Sequence, residues 1–150
     1  MITEVTKWIE LDMGHRVPYH ESKCRHMHGH RYRIEATLEG PIKEANEKDS
    51  QSGMVLDFGY IKRVLMEEVH DKWDHRFLIA HDDRFMKQQD LVTCLGCIYV
   101  DFIPTAENIA TDIFKRLAPL FKSKFGEQLT LKRIRVYETP TSYADCCIGG

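Results

Sequence analysis

Apolar and polar residues alternate from residue 5 to residue 15, with Val5, Ile9, Leu11, Met13 and His15 on one side and Thr6, Trp8, Glu10 and Asp12 on the other. A two-residue period marks a half-buried β-strand, and only Lys7 breaks the apolar row. A second strand repeats the pattern: His28, His30, Tyr32, Ile34, Ala36 and Leu38 share one face, and Arg31, Arg33, Glu35, Thr37 and Glu39 take the other. Gly40-Pro41 closes it, and the polar stretch 43–53 reads as a surface loop. The period then becomes helical. Asp57 is placed to cap a helix on which Ile61, Val64, Leu65 and Val69 recur as far as Lys72. After a polar segment, 81–89, a short strand is predicted over 98–102. Thr105 can then cap a second helix carrying Ile109, Ile113, Leu117 and Leu120, with Glu107 at its positive end. Two β-rich runs, 129–139 and 143–148, are separated by the turn-like Pro140-Thr141. There is no internal repeat and no low-complexity tract.

This order predicts an α+β domain: a four-stranded antiparallel sheet with helices on one face. A parallel sheet covered on both sides would read as continuous apolar runs instead. At 150 residues the chain (1–150) is expected to make a single domain. A sheet this small leaves edges, and pairing with other copies of the chain is one way to cover them.

Composition adds mostly exclusions. With 21 basic and 23 acidic residues, 43% hydrophobic and 29% charged, the chain reads as an ordinary soluble protein with no call for nucleic acid or membrane. No apolar run approaches the roughly 20 residues of a membrane span, and the first residues lack the basic and apolar regions of a signal peptide. A cytoplasmic protein is expected. Five cysteines, an odd number, are expected to be mostly reduced thiols rather than a disulfide framework. Histidine departs from the ordinary: of eight in the chain, His15, His20, His26, His28 and His30 fall within sixteen residues.

His28-Gly29-His30 on a strand puts two imidazoles on one side, about 6.5 to 7 Å apart along the chain by the strand rise. If the first two strands pair antiparallel, His15 at the end of one lies beside the start of the other, and three imidazoles meet. Three neutral nitrogens with a vacant fourth position is the pattern of a catalytic zinc site. An isolated H-x-H pair is more often merely solvated; continuing an apolar face beside a third histidine reverses that preference. Cys24, four residues before His28, is either a fourth ligand in a closed structural site or a thiol made reactive by neighbouring positive charge. Five basic residues (Arg16, Lys23, Arg25, Arg31, Arg33) against one acid (Glu21) predict a cationic mouth suited to an anionic substrate such as a phosphate ester. Arg31 and Arg33 on their own would read as solvating the outer strand face. Asp74-His75 can act as an oriented general acid or base, although a bare dipeptide is weak ground. Glu138 shares a face with Ile134 and Val136, where a carboxylate needs a partner: a ligand with two adjacent N–H groups, or an Arg or Lys of the chain. Cys94-Leu95-Gly96-Cys97 lacks the context of a redox or zinc motif and is assigned no function; Cys146-Cys147 reads as strand packing.

Taken together, His15-Arg16-Val17, Cys24-x-x-x-His28-Gly29-His30, Gly53-Met54-Val55-Leu56-Asp57-Phe58, Asp74-His75, Pro104-Thr105-Ala106-Glu107-Asn108 and Val136-Tyr137-Glu138-Thr139 resemble the 6-pyruvoyltetrahydropterin synthase and 6-carboxytetrahydropterin synthase family. The resemblance implies the tunnelling fold (ββααββ), with subunits joining into a barrel as a trimer or a stacked hexamer. It implies Zn2+ on His15, His28 and His30, Cys24 as catalytic base assisted by Asp74 and His75, and Glu138 as the residue anchoring the pterin ring. Three residues between the cysteine and the HGH resemble the carboxy enzyme of queuosine (deazaguanine) biosynthesis. That implies conversion of 7,8-dihydroneopterin triphosphate to 6-carboxy-5,6,7,8-tetrahydropterin, acetaldehyde and triphosphate. The pyruvoyl synthase, a non-catalytic pterin- or purine-binding protein of the same fold and a structural zinc module are the alternatives. The chain departs from the family pattern at Gly14, where alanine or serine is usual, in the loop 40–53 and in the segment 80–102; none of these touches an expected ligand.

Overall fold

A computed structural model describes residues 1–88 and 95–149. Strands β1 (Thr3–His15) and β2 (His28–Gly40) pair antiparallel over their whole length, from Thr3 opposite Gly40 to His15 opposite His28. β2 pairs antiparallel with β5 (Thr130–Thr139), and β5 with β6 (Ser142–Cys147). These are the four predicted antiparallel strands. The sheet is nevertheless mixed and six-stranded, in the order β4-β3-β1-β2-β5-β6. β3 (Arg76–Ala80) and β4 (Cys97–Val100) are parallel to each other, and β3 runs parallel to β1 over residues 13–15 alone. β3 escapes an alternation test because Leu78, Ile79 and Ala80 are all buried, as a parallel strand covered on both faces requires.

The first helical segment begins at α1 (Phe58–Leu65), capped as predicted by the Asp57 carboxylate accepting from Gly59 N at 2.7 Å. It continues through a π turn, Met66–His70, into the single turn α2 (Asp71–Trp73). α3 (Arg84–Gln88) lies within the predicted polar segment. α4 (Ala106–Phe125) is capped by Thr105, whose hydroxyl accepts from Asn108 N, and buries Ile109, Ile113, Leu117 and Phe121, with Leu120 only partly covered. These apolar stripes meet Ile9, Leu11, Met13, Tyr32, Ile34, Ala36, Leu38, Ile134 and Val136 from one face of the sheet in a single core. Each buried Val, Leu, Ile, Met or Phe among them contributes about 1.5–3 kcal/mol by leaving water.

On the other face α3 covers β3 and β4, its Met86 packing with Phe77, Ile79 and Cys97 in a second, small core, while the rest of that face is polar. It is crossed by a ladder in which the Arg33 guanidinium lies 3.8 Å from the Trp8 ring centre and 5.1 Å from that of Tyr137, and Arg135 pairs with Asp145 at 2.7 Å. Gly14 has a packing reason: a Cβ there would collide with the Phe77 ring, so the residue that departs from the family pattern makes room for β3.

Candidate active site

The β1–β2 register sets His15 directly across from His28, and His30 follows two residues on along the same face. Their imidazole nitrogens gather within 4.8 Å of one another. Backbone carbonyls set the tautomers of two of them. His15 Nδ1 donates to the carbonyl of Pro104 at 2.6 Å, and His28 Nδ1 to that of His26 at 2.7 Å. With Nδ1 protonated in both, each Nε2 keeps its lone pair, and the two face each other at 3.0 Å. His30 Nε2 is buried with no hydrogen-bond partner. Mutually facing lone pairs repel unless a proton or cation lies between them. Zinc–nitrogen bonds of about 2.0–2.1 Å would put neighbouring ligands about 3.3 Å apart in a tetrahedral site. The donor set therefore fits a zinc-like cation.

Burial supports the neutral, ligating form. His15 is 1% exposed and its pKa is lowered, chiefly by burial, with His28 and His30 pushing the same way against the Pro104 carbonyl and Glu138. His30 is lowered too, again first by burial. Beneath them lies Tyr32, fully buried, its ring centre 5.5 Å from that of His30 and 5.9 Å from that of His15. Burial first, then Glu138, holds its phenol protonated. The alternation placed Tyr32 on this face without marking it as part of the site.

Glu138 turns toward the imidazoles, with Oε1 3.3 Å from His30 Nε2 and Oε2 3.9 Å from His15 Nε2. The partners it finds are thus histidines rather than an Arg or Lys. Cys24 sits in a short 3₁₀ turn, Lys23–Arg25, pinned by Val17 N donating to its carbonyl at 2.8 Å. Its thiol is free, half-buried and outside the three-histidine group, so the structure does not form the closed site with Cys24 as fourth ligand.

Asp74 and His75 are fixed to β1. Asp74 Oδ1 accepts from Asp12 N at 3.0 Å, His75 N donates to the Asp12 carbonyl at 2.7 Å, and His75 Nδ1 donates to Asp74 Oδ2 at 2.8 Å. His70, which the sequence left unassigned, approaches the same Oδ2 at 3.6 Å. The Asp12 amide first, then His75, lowers the Asp74 pKa, with burial opposing. His75 adopts φ 62°, a left-handed conformation that costs a non-glycine residue about 1 kcal/mol or more and aims a ring that is 77% exposed. No hydrogen bond or ion pair among the described residues joins this pair to Cys24. A cavity of about 640 Å³ borders it, with Gly14, His28, Gly29, His75 and Phe77 among its walls.

The predicted cationic mouth is smaller than the count suggested. Arg16 is spent on buried Asp83 at 2.6 Å, Arg31 on Glu10 and Asp12, and Arg33 on Glu35. Lys23 and Arg25 are left without a carboxylate partner among the described residues. Of the CxxC, Cys94 lies outside the described residues and Cys97 is buried in β4. Cys146 packs against the core from β6, and Cys147 is exposed.

An α+β sheet with its two long helical segments on one face and three imidazoles converging at one end defines a tunnelling-fold protein with a metal-competent site. Residues 4–147 match the profile of the family described as 6-pyruvoyl tetrahydropterin synthase, and the chain belongs to that family. A protein of Rickettsia felis named 6-carboxy-5,6,7,8-tetrahydropterin synthase is 37% identical over 142 residues, covering 93% of this chain and 96% of its own length. Its Haemophilus influenzae namesake is 32% identical over 147 residues, covering 95% and 96%. Among solved structures, Caenorhabditis elegans 6-pyruvoyl tetrahydropterin synthase superposes with a TM-score of 0.67 at 25% identity, over 99% of this chain and 97% of that one. An uncharacterised protein of Wolinella succinogenes shares the fold at a TM-score of 0.74 and 22% identity, over 98% of both chains. The chain is a pterin synthase-type protein, and no helix among its described residues is long and apolar enough to cross a membrane.

Proposed function

We propose that the protein converts 7,8-dihydroneopterin triphosphate and water to 6-carboxy-5,6,7,8-tetrahydropterin, acetaldehyde and triphosphate, as a cytoplasmic lyase of queuosine biosynthesis. The observation that carries this reading over the pyruvoyl reaction is the near full-length similarity, at 32–37% identity, to relatives named for the carboxy product. Zn2+ is the proposed cofactor, with His15, His28 and His30 as its ligands. When bound, the ion supplies Lewis acidity toward the hydroxyls of the substrate side chain.

The chain's own residues divide the remaining work. Cys24 takes a proton from the substrate side chain, and His75 is its acid–base partner, ring-oriented by Asp74. The short Asp74–His75 hydrogen bond leaves His75 Nε2 as the atom that exchanges the proton. Glu138 accepts two N–H bonds from the pterin ring and holds it so that only the side chain reacts. Lys23 and Arg25, the unpaired cations of the mouth, suit the triphosphate.

We further propose that the working form is a homo-oligomer, a trimer or a hexamer. Among the described residues β3 covers β1 only at residues 13–15, and Asp74 and His75 take up the Asp12 backbone, so β1 from residue 3 to residue 11 and the outer side of β6 are open sheet edges. Pairing one copy's β6 with the next copy's β1 would close a ring of subunits. Incubation with dihydroneopterin triphosphate followed by mass analysis tests the reaction. A 6-carboxy product is expected; a 6-pyruvoyl product transfers the chain to the other branch, and tight binding without turnover makes it a binding protein.

A further inference from the structure

The Glu138 carboxylate is held in a position that its own charge disfavours. Its oxygens face His30 Nε2 at 3.3 Å and His15 Nε2 at 3.9 Å. The His15 nitrogen already presents a lone pair to His28 Nε2 at 3.0 Å, because its Nδ1 donates to Pro104. His30 Nε2 makes no hydrogen bond to the carboxylate despite its closeness. At His15 an acceptor is thus turned toward the carboxylate, an arrangement that a proton or a shared cation stabilises and that an apolar wall does not. Nitrogen and carboxylate ligands with bonds of about 2.0–2.2 Å lie about 3.3 Å apart around a four-coordinate ion. The His30 separation matches that figure. The His15 separation exceeds it by an amount that a carboxyl torsion closes, and the group borders the His15–His30 side of the cluster rather than joining all three histidines.

The backbone at Glu138 departs from the regular ladder. Pairing of β5 with β6 passes from Tyr137 opposite Tyr143 to Thr139 opposite Ser142, so Glu138 sits at a break in the ladder register. Such bulges re-aim side chains and release them from the regular sheet. The side chain is 25% exposed, reachable both from the buried histidines and from solvent.

We infer that Glu138 is a displaceable fourth ligand of the three-histidine metal centre, surrendered to the substrate when the pterin ring binds. The inference rests on the reading of His15, His28 and His30 as metal ligands and of the substrate as a pterin. In the resting protein the carboxylate completes the coordination. The paired N–H donors of the ring then draw it off, and the position it leaves is taken by a hydroxyl of the substrate side chain. Seating the ring and opening the metal become one event, so the centre is reactive only when a pterin is in place.

Cobalt(II) loaded into the intact protein tests this without turnover, because its visible spectrum reports ligand number and type. Chelator competition for cobalt(II) in wild type and Glu138→Gln is expected to show at least about tenfold weaker binding in the variant, with an altered visible band. An oxidised, unreactive pterin is expected to shift the wild-type band toward that of Glu138→Gln and to leave the variant's band in place. Glu138→Asp, which keeps the charge but withdraws it by one methylene, should resemble the Gln variant in its spectrum. Equal cobalt affinity and identical bands in all three proteins would overturn the inference, as would a wild-type band that ignores bound pterin. Failure of the wider reading looks different: His28→Ala would then keep its cobalt, or the unaltered protein would leave dihydroneopterin triphosphate unconsumed.

Discussion

Two clusters in this chain bring potential ligand atoms within 4.8 Å of one another, His15–His28–His30 and Asp12–Asp74–His75, and they are built in opposite ways. In the first, backbone carbonyls occupy the Nδ1 protons of His15 and His28, whose Nε2 atoms are left facing each other, and His30 Nε2 beside them is buried without a partner. In the second, three of the four carboxylate oxygens are already engaged: Asp74 accepts from the Asp12 amide and from His75, and Asp12 Oδ2 is paired with Arg31 at 3.0 Å. Proximity alone does not make a metal site. A site needs lone pairs that the protein has gathered in a buried place and left facing one another, as the histidine cluster does. The acidic cluster instead docks the end of α2 onto the edge of β1 and presents His75 to solvent.

The sharpest way to break this contrast is metal analysis of His28→Ala beside Asp12→Ala. The histidine variant is expected to lose bound zinc and the aspartate variant to keep it; full occupancy in His28→Ala removes the assignment. Cys24→Ala is expected to retain both zinc and pterin binding while turnover falls by about 10³-fold, a typical cost for losing an essential proton-transfer group. Near-normal turnover would take Cys24 out of the mechanism.

Asp74→Asn separates the clusters by pH. The fold lowers the Asp74 pKa, so the native state favours the carboxylate. Its contribution to stability is complete above the unfolded value of about 3.9 and is lost as pH falls through the lower folded value. Asp74→Asn should therefore lower Tm at neutral pH, with the gap to wild type closing in acid below about pH 4 and zinc content unchanged. A gap that persists at low pH would show that charge is not the cause. The smallest effect is expected at the junction of the two clusters: Gly14→Ala forces Phe77 aside and should cost about 1–3 kcal/mol in denaturant unfolding. An unchanged midpoint would mean that β3 adjusts freely.

Much of this architecture follows from local rules and was legible in the chain. The alternation in β1 and β2 gave the faces, and Asp57 and Thr105 cap their helices as their side chains allow. His28-Gly29-His30 beside His15 is enough to place three imidazoles at one end of the sheet. β3 was not legible, because a strand buried on both sides has no alternation to detect. The mouth was misjudged for a related reason: counting Arg16, Arg31 and Arg33 ignores the carboxylates that folding delivers to them, Asp83 from 67 residues further along the chain in the case of Arg16.

Sequence by itself determined which side chains share a face, because a period of two or of 3.6 is a property of the local backbone. Tertiary structure alone decided which of their atoms are satisfied. The Pro104 carbonyl that sets the His15 tautomer lies 89 residues away, and the turn of Glu138 toward the histidines depends on a register break between β5 and β6. Unspent lone pairs arise from long-range closure of the chain, and no local period records them.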